Sequence, residues 1–414
     1  MHGVAGIVAT LMPTVMQWKG RKYTFIGSSV LLLIGWILAF AAKDVLMVLL
    51  SAIFHGLSSN CLTIINLVTV SEMLAPKYRS ASMVLLIINQ TIGLVLVTTL
   101  GTVLHWQTVA MVLCGPVIIA LLMVIVWPES PSWLAYKGKF EASEKAFIWL
   151  RGTDDEATKE LKALIAAQKE TRRRISKKTK IQETWQRMKR RDFYLPSLYM
   201  LLILVNFYIS GALPLLIYSK DILETAIGDP KVAVIGYVVT VCTLLTGSLI
   251  SLILIRYFKT KTVLSTSLGC IVSLLGCSLV SYLQSTGLIA KDSILFLYCF
   301  LGYMVFCNSG FNPITFALAI DLMPVKNRGI GGALFNILTC LFYVVTVKSL
   351  PYLILCINIS WTFFLLGVSC LICTILIWIY VPETKNRTLQ EIEDFYNYGT
   401  FVRIRDLDDA EVSM

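Results

Sequence analysis

The sequence predicts an all-α polytopic membrane protein, and three observations predict it. Of the 414 residues, 57% are hydrophobic and only 15% are charged, against about 45–50% and about 25% in soluble globular chains. The apolar residues gather into runs of roughly 20, the helix length that crosses a hydrocarbon core. Nearly all of the 36 Lys and Arg residues fall on one side of those runs, as topology-setting cations do. The same composition excludes disordered, collagen-like, coiled-coil and disulfide-stapled secreted chains.

Taken in order, apolar runs predict spans at 3–17, 23–42, 45–71, 81–104, 108–127, 193–219, 232–255, 262–284, 293–320, 330–350 and 358–381. The first lacks the basic leader and small-residue cleavage site of a signal peptide. Alternate connections, at 18–22, 77–79, 129–192, 256–261, 325–328 and from 382 onward, carry the basic residues. The opposite side holds only Lys43, Lys220, Lys231, Lys291 and Lys348. The first set is therefore expected to be cytoplasmic, with the C-terminus. The net charge of +11 is then a topology signal facing a lipid bilayer and calls for no nucleic-acid partner.

All eleven cysteines sit inside apolar runs, where neither an extracellular disulfide framework nor a zinc site would put them. No metal or cofactor is predicted. An enzyme is not predicted either: there is no phosphate-binding glycine loop or nucleophile triad, and the histidines are His2, His55 and His105 alone. His55 lies within a span beside Ser51, Ser58, Ser59 and Asn60, where a packed hydrogen-bonding role is expected. The triplet Asn358-Ile-Ser360 lies too near the bilayer for glycan attachment.

The two halves repeat one another. Glu72 and Arg79 close the third span; Asp321 and Arg328 close the ninth with the same spacing. Pro128-Glu-Ser-Pro-Ser-Trp-Leu134 follows the fifth span and Pro382-Glu-Thr-Lys-Asn-Arg-Thr-Leu389 the eleventh. Gly20-Arg21-Lys22 leaves the first span and Arg256 begins the turn after the seventh. The expected organisation is an N-terminal bundle at 1–128, a helical linker at 129–192, a C-terminal six-helix bundle at 193–381 and a tail at 382–414. Thr153–Glu156 reads as the capped start of a linker helix, and the basic stretch 172–180 as a membrane-adjacent topology determinant.

On these motifs the chain resembles the sugar-porter branch of the major facilitator superfamily, and its loops resemble the insect facilitated trehalose transporter-like members. The resemblance implies a two-bundle fold of 5 + 6 spans with the family's first helix absent. That absence leads to the expectation that Met1 is not the natural start of a working transporter. It also implies a plasma-membrane solute carrier, facilitative and sugar-specific, working by alternating access. Two clusters of acids and bases at helix ends are expected to bias its two states: Arg21, Glu72, Arg79 and Glu129, and Arg256, Asp321, Arg328 and Glu383.

At the sugar site the chain departs from the family. The Gln-Gln-x-Ser-Gly-x-Asn run of helix seven keeps Ser210 and Gly211, but Phe207, Tyr208 and Leu213 replace the amides. The stacking Trp of helix ten aligns with Phe316, after Asn312-Pro313. Asn206, Tyr208, Tyr218, Asn312 and Phe316 remain as candidates to line a central cavity, with helix packing as the other reading of each. Unmet polar groups cost about 1–3 kcal/mol each, so the substitutions leave two alternatives open: a less polar solute, or a non-transporting, sensor-like relative. The short tail after Val381 weighs against a sensor. No Asp or Glu lies in the interior of a span, which favours facilitated diffusion over a proton relay.

Overall fold

A computed structural model describes residues 2–74, 76–154, 161, 165, 191–254, 260–290, 293–312, 315 and 328–381. No β-strand occurs among them. The apolar runs form helices because only intrachain hydrogen bonding satisfies a backbone in lipid. The first comprises α1 (His2–Val8), a 3₁₀ turn (Ala9–Leu11) and α2 (Met12–Lys19). Then come α3 (Arg21–Phe40), α4 (Val45–Met73), α5 (Pro76–Val103) and α6 (Trp106–Val126). Short α7 (Pro131–Tyr136) and α8 (Phe140–Arg151) open the linker.

The second half begins with α9 (Arg191–Ile209), α10 (Ala212–Ile217) and α11 (Ser219–Ile227). It continues with α12 (Pro230–Leu254), α13 (Thr260–Ser285) and α14 (Leu295–Phe306), which runs into a π-helical turn at Cys307–Phe311. The last element, α15 (Arg328–Tyr380), is two helices joined at Asn358. Among the described residues, each span expected from the sequence coincides with helix, with three differences. The sixth span breaks at Ser210-Gly211, the ninth changes to π-helix at Cys307, and helix continues past residue 350 to a kink at Asn358. The first two breaks coincide with glycine: Gly211 has φ +81°, a backbone that residues with a Cβ avoid.

The chain forms two compact units, Met1–Leu86 with Thr99–Thr179, and Ile87–Thr98 with Lys180–Met414. In the first, α3 packs between α4 and α6, and α1 packs on α4. Small buried residues of α3 (Ser28, Ser29, Gly35, Ala39) allow the close approach. Trp36 of α3 and His55 of α4 meet edge-on with ring centroids 4.3 Å apart. Gln107 donates to the Ala42 carbonyl at 2.9 Å, tying the start of α6 to the turn after α3.

In the second unit, α13 packs on α14 and α15, and the turn at Cys307–Phe311 packs on α12. Phe296, Phe300 and Phe363 interlock with centroids 5.5 to 6.4 Å apart. Ser278 donates to the Ser360 carbonyl at 2.9 Å and Ser360 to the Ser281 hydroxyl at 3.0 Å. Residues 87–98 of α5 cluster with this unit. There Leu94 packs on the core, and the hydroxyls of Thr98 and Tyr237 lie 3.5 Å apart.

Large apolar side chains cover the outer faces of both units, among them Leu46, Met123, Val126, Val272 and Leu355. Lipid is the solvent that suits such a surface. Because acyl chains are as apolar as Leu, packing and buried hydrogen bonds hold the helices together there. Polar side chains are accordingly satisfied within their own helices: Thr24 donates to Gly20, Ser58 to Phe54 and Thr240 to Gly236, each at 2.7 Å.

Candidate functional site at a charge cluster and two broken helices

The sequence Trp18-Lys19-Gly20-Arg21-Lys22 turns the chain from α2 into α3. Gly20 adopts φ +98° and ψ 175°. The Glu129 carboxylate occupies the space that a Cβ on Gly20 would need. From there it accepts the main-chain N–H of Arg21 at 2.8 Å and that of Lys22 at 3.2 Å. These are orphan donors at the start of α3, where a carboxylate also meets the positive end of the helix dipole. Glu129 additionally accepts its neighbour Ser130 N–H at 2.9 Å.

The Arg21 side chain points the other way. Its Nε and Nη2 donate to the two oxygens of Glu72 at 2.8 and 2.5 Å, a fork-on-fork pair, and Nη1 donates to the Met16 carbonyl at 3.2 Å. The pair is partly shielded, with side chains 11% and 18% exposed, so it is worth more than a solvated surface bridge. Ser130 completes the cluster. Its hydroxyl donates to Glu72 at 2.5 Å and accepts the Trp133 N–H at 3.4 Å, capping α7. Glu72, Arg21 and Glu129 are therefore brought together. Glu129, however, binds the helix main chain, while Glu72 is the acid that meets the guanidinium.

The linker is fastened to the same place. Trp133 Nε1 donates to the Gln17 carbonyl at 3.0 Å. Lys22 Nζ donates to the Ile125 carbonyl at 2.8 Å, near the end of α6. Arg151 closes α8 and donates to the carbonyls of Met73 at 3.1 Å and Leu74 at 2.8 Å, while stacking over Phe147 at 4.8 Å. Those carbonyls end α4, where no intrahelical donor remains. Ser143 holds α8 to α7 through the Pro131 carbonyl at 2.7 Å.

Sequence reasoning missed Ser130, Trp133 and Arg151 as members of the site. Ser130 carried a signal, since Ser before Pro at a helix start is a cap pattern. Arg151-Gly152 marked a helix end but not the carbonyls it would meet. The Arg79 and Arg328 side chains lie outside the described residues, as do Arg256, Asp321 and Glu383. Glu156 and the basic stretch 172–180 fall outside them too.

In the second unit the candidate residues separate into two groups. Asn206 and Tyr208 are buried. The Asn206 amide lies 3.5 Å from the Thr374 hydroxyl of α15, and Tyr208 sits among Phe207 and Phe342, with centroids 5.2 and 5.8 Å away. Tyr218 and Asn312 are half-buried. Asn312 donates to the Asn308 side-chain carbonyl at 3.0 Å, and Asn308 donates to the Leu244 carbonyl of α12 at 3.1 Å. Phe316 lies outside the described residues. Aromatic packing thus fills positions 207 and 208, while Asn312 and Tyr218 are only half-buried.

Two units of apolar helices long enough to cross a membrane, with broken helices in the second, define a multi-pass helical membrane protein. The chain superposes on the proton:xylose symporter XylE bound to 6-bromo-6-deoxy-D-glucose with a TM-score of 0.76, at 16% identity, covering 95% of this chain and 87% of that one. It superposes on the human organic anion transporter MFSD10 with a TM-score of 0.58, at 14% identity, covering 91% and 81%.

The chain belongs to the sugar (and other) transporter family, whose pattern matches residues 4–396. It is 27% identical to the facilitated trehalose transporter Tret1 of Drosophila mojavensis over 95% of this chain and 45% of that protein. It is 26% identical to Tret1 of Bombyx mori over 94% and 76%. The chain therefore spans less than half the length of the fruit-fly relative.

Proposed function

We propose that this protein is a facilitative carrier of a sugar, a hexose or a trehalose-like disaccharide, working by alternating access in the plasma membrane with its C-terminus in the cytoplasm. The observation that carries the reading is the Arg21–Glu72–Ser130–Glu129 cluster, which ties the ends of α2, α3, α4 and α7 through side chains that can part and reform. A helix-end contact of this kind holds one of two global states without touching the solute. The repeated residues Arg256, Asp321, Arg328 and Glu383 are proposed to form its counterpart, with Arg79 completing the first. The sugar transporter family and the trehalose transporters among the relatives supply the solute class.

Asn312 and Tyr218 are the side chains we assign to the solute, with Phe316 beside them and Asn206 and Tyr208 shaping the wall behind. The organisation proposed is a bundle at 1–128, linker at 129–192, bundle at 193–381 and tail at 382–414. The test is uptake of radiolabelled trehalose and glucose into proteoliposomes containing the purified chain. Saturable entry, unaltered by collapsing a proton gradient, is expected. No entry of either sugar above that in empty vesicles would overturn the reading.

A further inference from the structure

The break between α9 and α10 leaves a backbone carbonyl with no partner in its own helix. The Ser210 carbonyl should accept the N–H of the residue four positions on. That residue is Pro214, which has none. Ser210 and Pro214 are both buried, so an unmet carbonyl here has no water to turn to. The structure supplies a substitute from another helix. Tyr303 of α14, fully buried, donates its hydroxyl to the Ser210 carbonyl at 2.9 Å. On either side the helix resumes its own bonding, with Ser210 N–H on Asn206 at 3.0 Å and Leu215 N–H on Gly211 at 2.9 Å.

Tyr303 also stands one turn before the π-helical segment that carries Asn308 and Asn312. One hydroxyl therefore joins the two irregular points of this unit. Gly211, at φ +81°, lets α10 leave α9 in a new direction. The bond to Tyr303 holds the last carbonyl before that turn, and α10 leads directly to Tyr218.

We propose that Tyr303 is a positioning residue: its hydroxyl replaces the hydrogen bond that Pro214 denies Ser210, and so fixes the direction in which α10 presents Tyr218. The functional part rests on the carrier reading above; the structural part stands apart from it. The pairing of a proline with a distant hydroxyl donor gives a specific reciprocity. Pro214→Ala restores the missing N–H, so the Tyr303 hydroxyl becomes dispensable in that background.

The experiment compares the full chain in lipid nanodiscs with its Tyr303→Phe, Pro214→Ala and double variants by backbone hydrogen exchange. Tyr303→Phe is expected to speed exchange across 211–218 roughly tenfold, the factor set by one ordinary hydrogen bond, with α12 and α13 unchanged. The double variant is expected to exchange within about twofold of Pro214→Ala, the non-additivity that coupling between the two positions requires. Unchanged exchange in Tyr303→Phe, or a double variant as fast as Tyr303→Phe, would overturn the proposal.

If Tyr303→Phe gives no monodisperse protein, recovery of yield by adding Pro214→Ala supports the pairing and failure to recover it overturns it. Uptake provides the second arm. Tyr303→Phe should raise the half-saturation concentration with turnover altered less, and Pro214→Ala should reverse this. Failure of every variant, wild type included, to move sugar refutes the carrier reading while the exchange result still decides the pairing.

Discussion

Glu129 stands where a side chain on Gly20 would have to be, and in that position it caps α3 through the main-chain N–H groups of Arg21 and Lys22. A methyl group at residue 20 would meet the carboxylate and would also be held at φ +98°, ψ 175°, a region that costs a residue with a Cβ about 1–3 kcal/mol. Gly20→Ala is therefore expected to lower the melting temperature of the purified protein in detergent and to slow uptake. A variant as stable and active as wild type would refute this account of the turn.

Arg21→Lys is expected to behave as a loss rather than a conservative change. A lysine presents a single point charge, and the paired bonds from Nε and Nη2 to Glu72 need the planar fork. A double-mutant cycle of Arg21→Gln with Glu72→Gln should give a coupling of about 1–3 kcal/mol in unfolding. Additive effects would place the pair among contacts that contribute nothing measurable.

Removing the Arg151 side chain should loosen the linker. Arg151→Ala leaves the Met73 and Leu74 carbonyls without their donors at the end of α4, a change of roughly 1–3 kcal/mol. Limited trypsin digestion is expected to cut within α8 sooner than in the wild type, with the spans intact. Equal cleavage rates would show that Ser143 and Trp133 suffice to hold the linker.

The kink in α15 offers a stabilising change. Asn358 has φ 65° and ψ 163°, a backbone that only glycine adopts without strain, and its side chain is exposed. Asn358→Gly should raise the melting temperature of the purified protein by a few degrees. A fall would mean that the asparagine side chain offsets its own strain.

Arg328→Gln tests the proposed counterpart cluster. The expectation is a fall in turnover far larger than any change in equilibrium affinity for sugar, because a group that biases global states makes no contact with the solute. A large affinity loss at unchanged turnover would place Arg328 at the binding site instead.

Much of the fold was legible because membrane helices announce themselves by length and apolarity. The runs at 23–42 and 45–71 became α3 and α4 with their ends displaced by only a few residues. What the pattern could not show was where helices break inside an apolar run. Cys307–Phe311 and Ser210-Gly211 lie inside the expected spans 293–320 and 193–219, and the bonds made there join groups distant in sequence, Tyr303 to Ser210 and Asn308 to the Leu244 carbonyl.

The charge cluster was half legible. Its acids and Arg21 were marked by repetition in the second half, but the direction of each contact was not. Sign alone placed Glu129 in a cluster with Arg21, Glu72 and Arg79 without naming its partner, whereas the sharp turn at Gly20 presents two peptide N–H groups to it. Ser130 and Arg151 act through carbonyls and a hydroxyl, which no charge pattern reveals. At positions 207 and 208 the family resemblance marked apolar and aromatic residues in place of amides, and the structure adds that Phe207 and Tyr208 are packed inward against their own unit.

The two acids of the cluster are exposed to sequence drift in unequal measure. Glu72 depends on the identity of residue 21: replace the arginine and its fork is gone. Glu129 depends on peptide groups that every amino acid except proline provides. Substitutions at 21 or 22 can therefore dissolve one half of the cluster and leave the other anchored, so a lineage can loosen the Glu72 contact without losing the turn that organises the cluster.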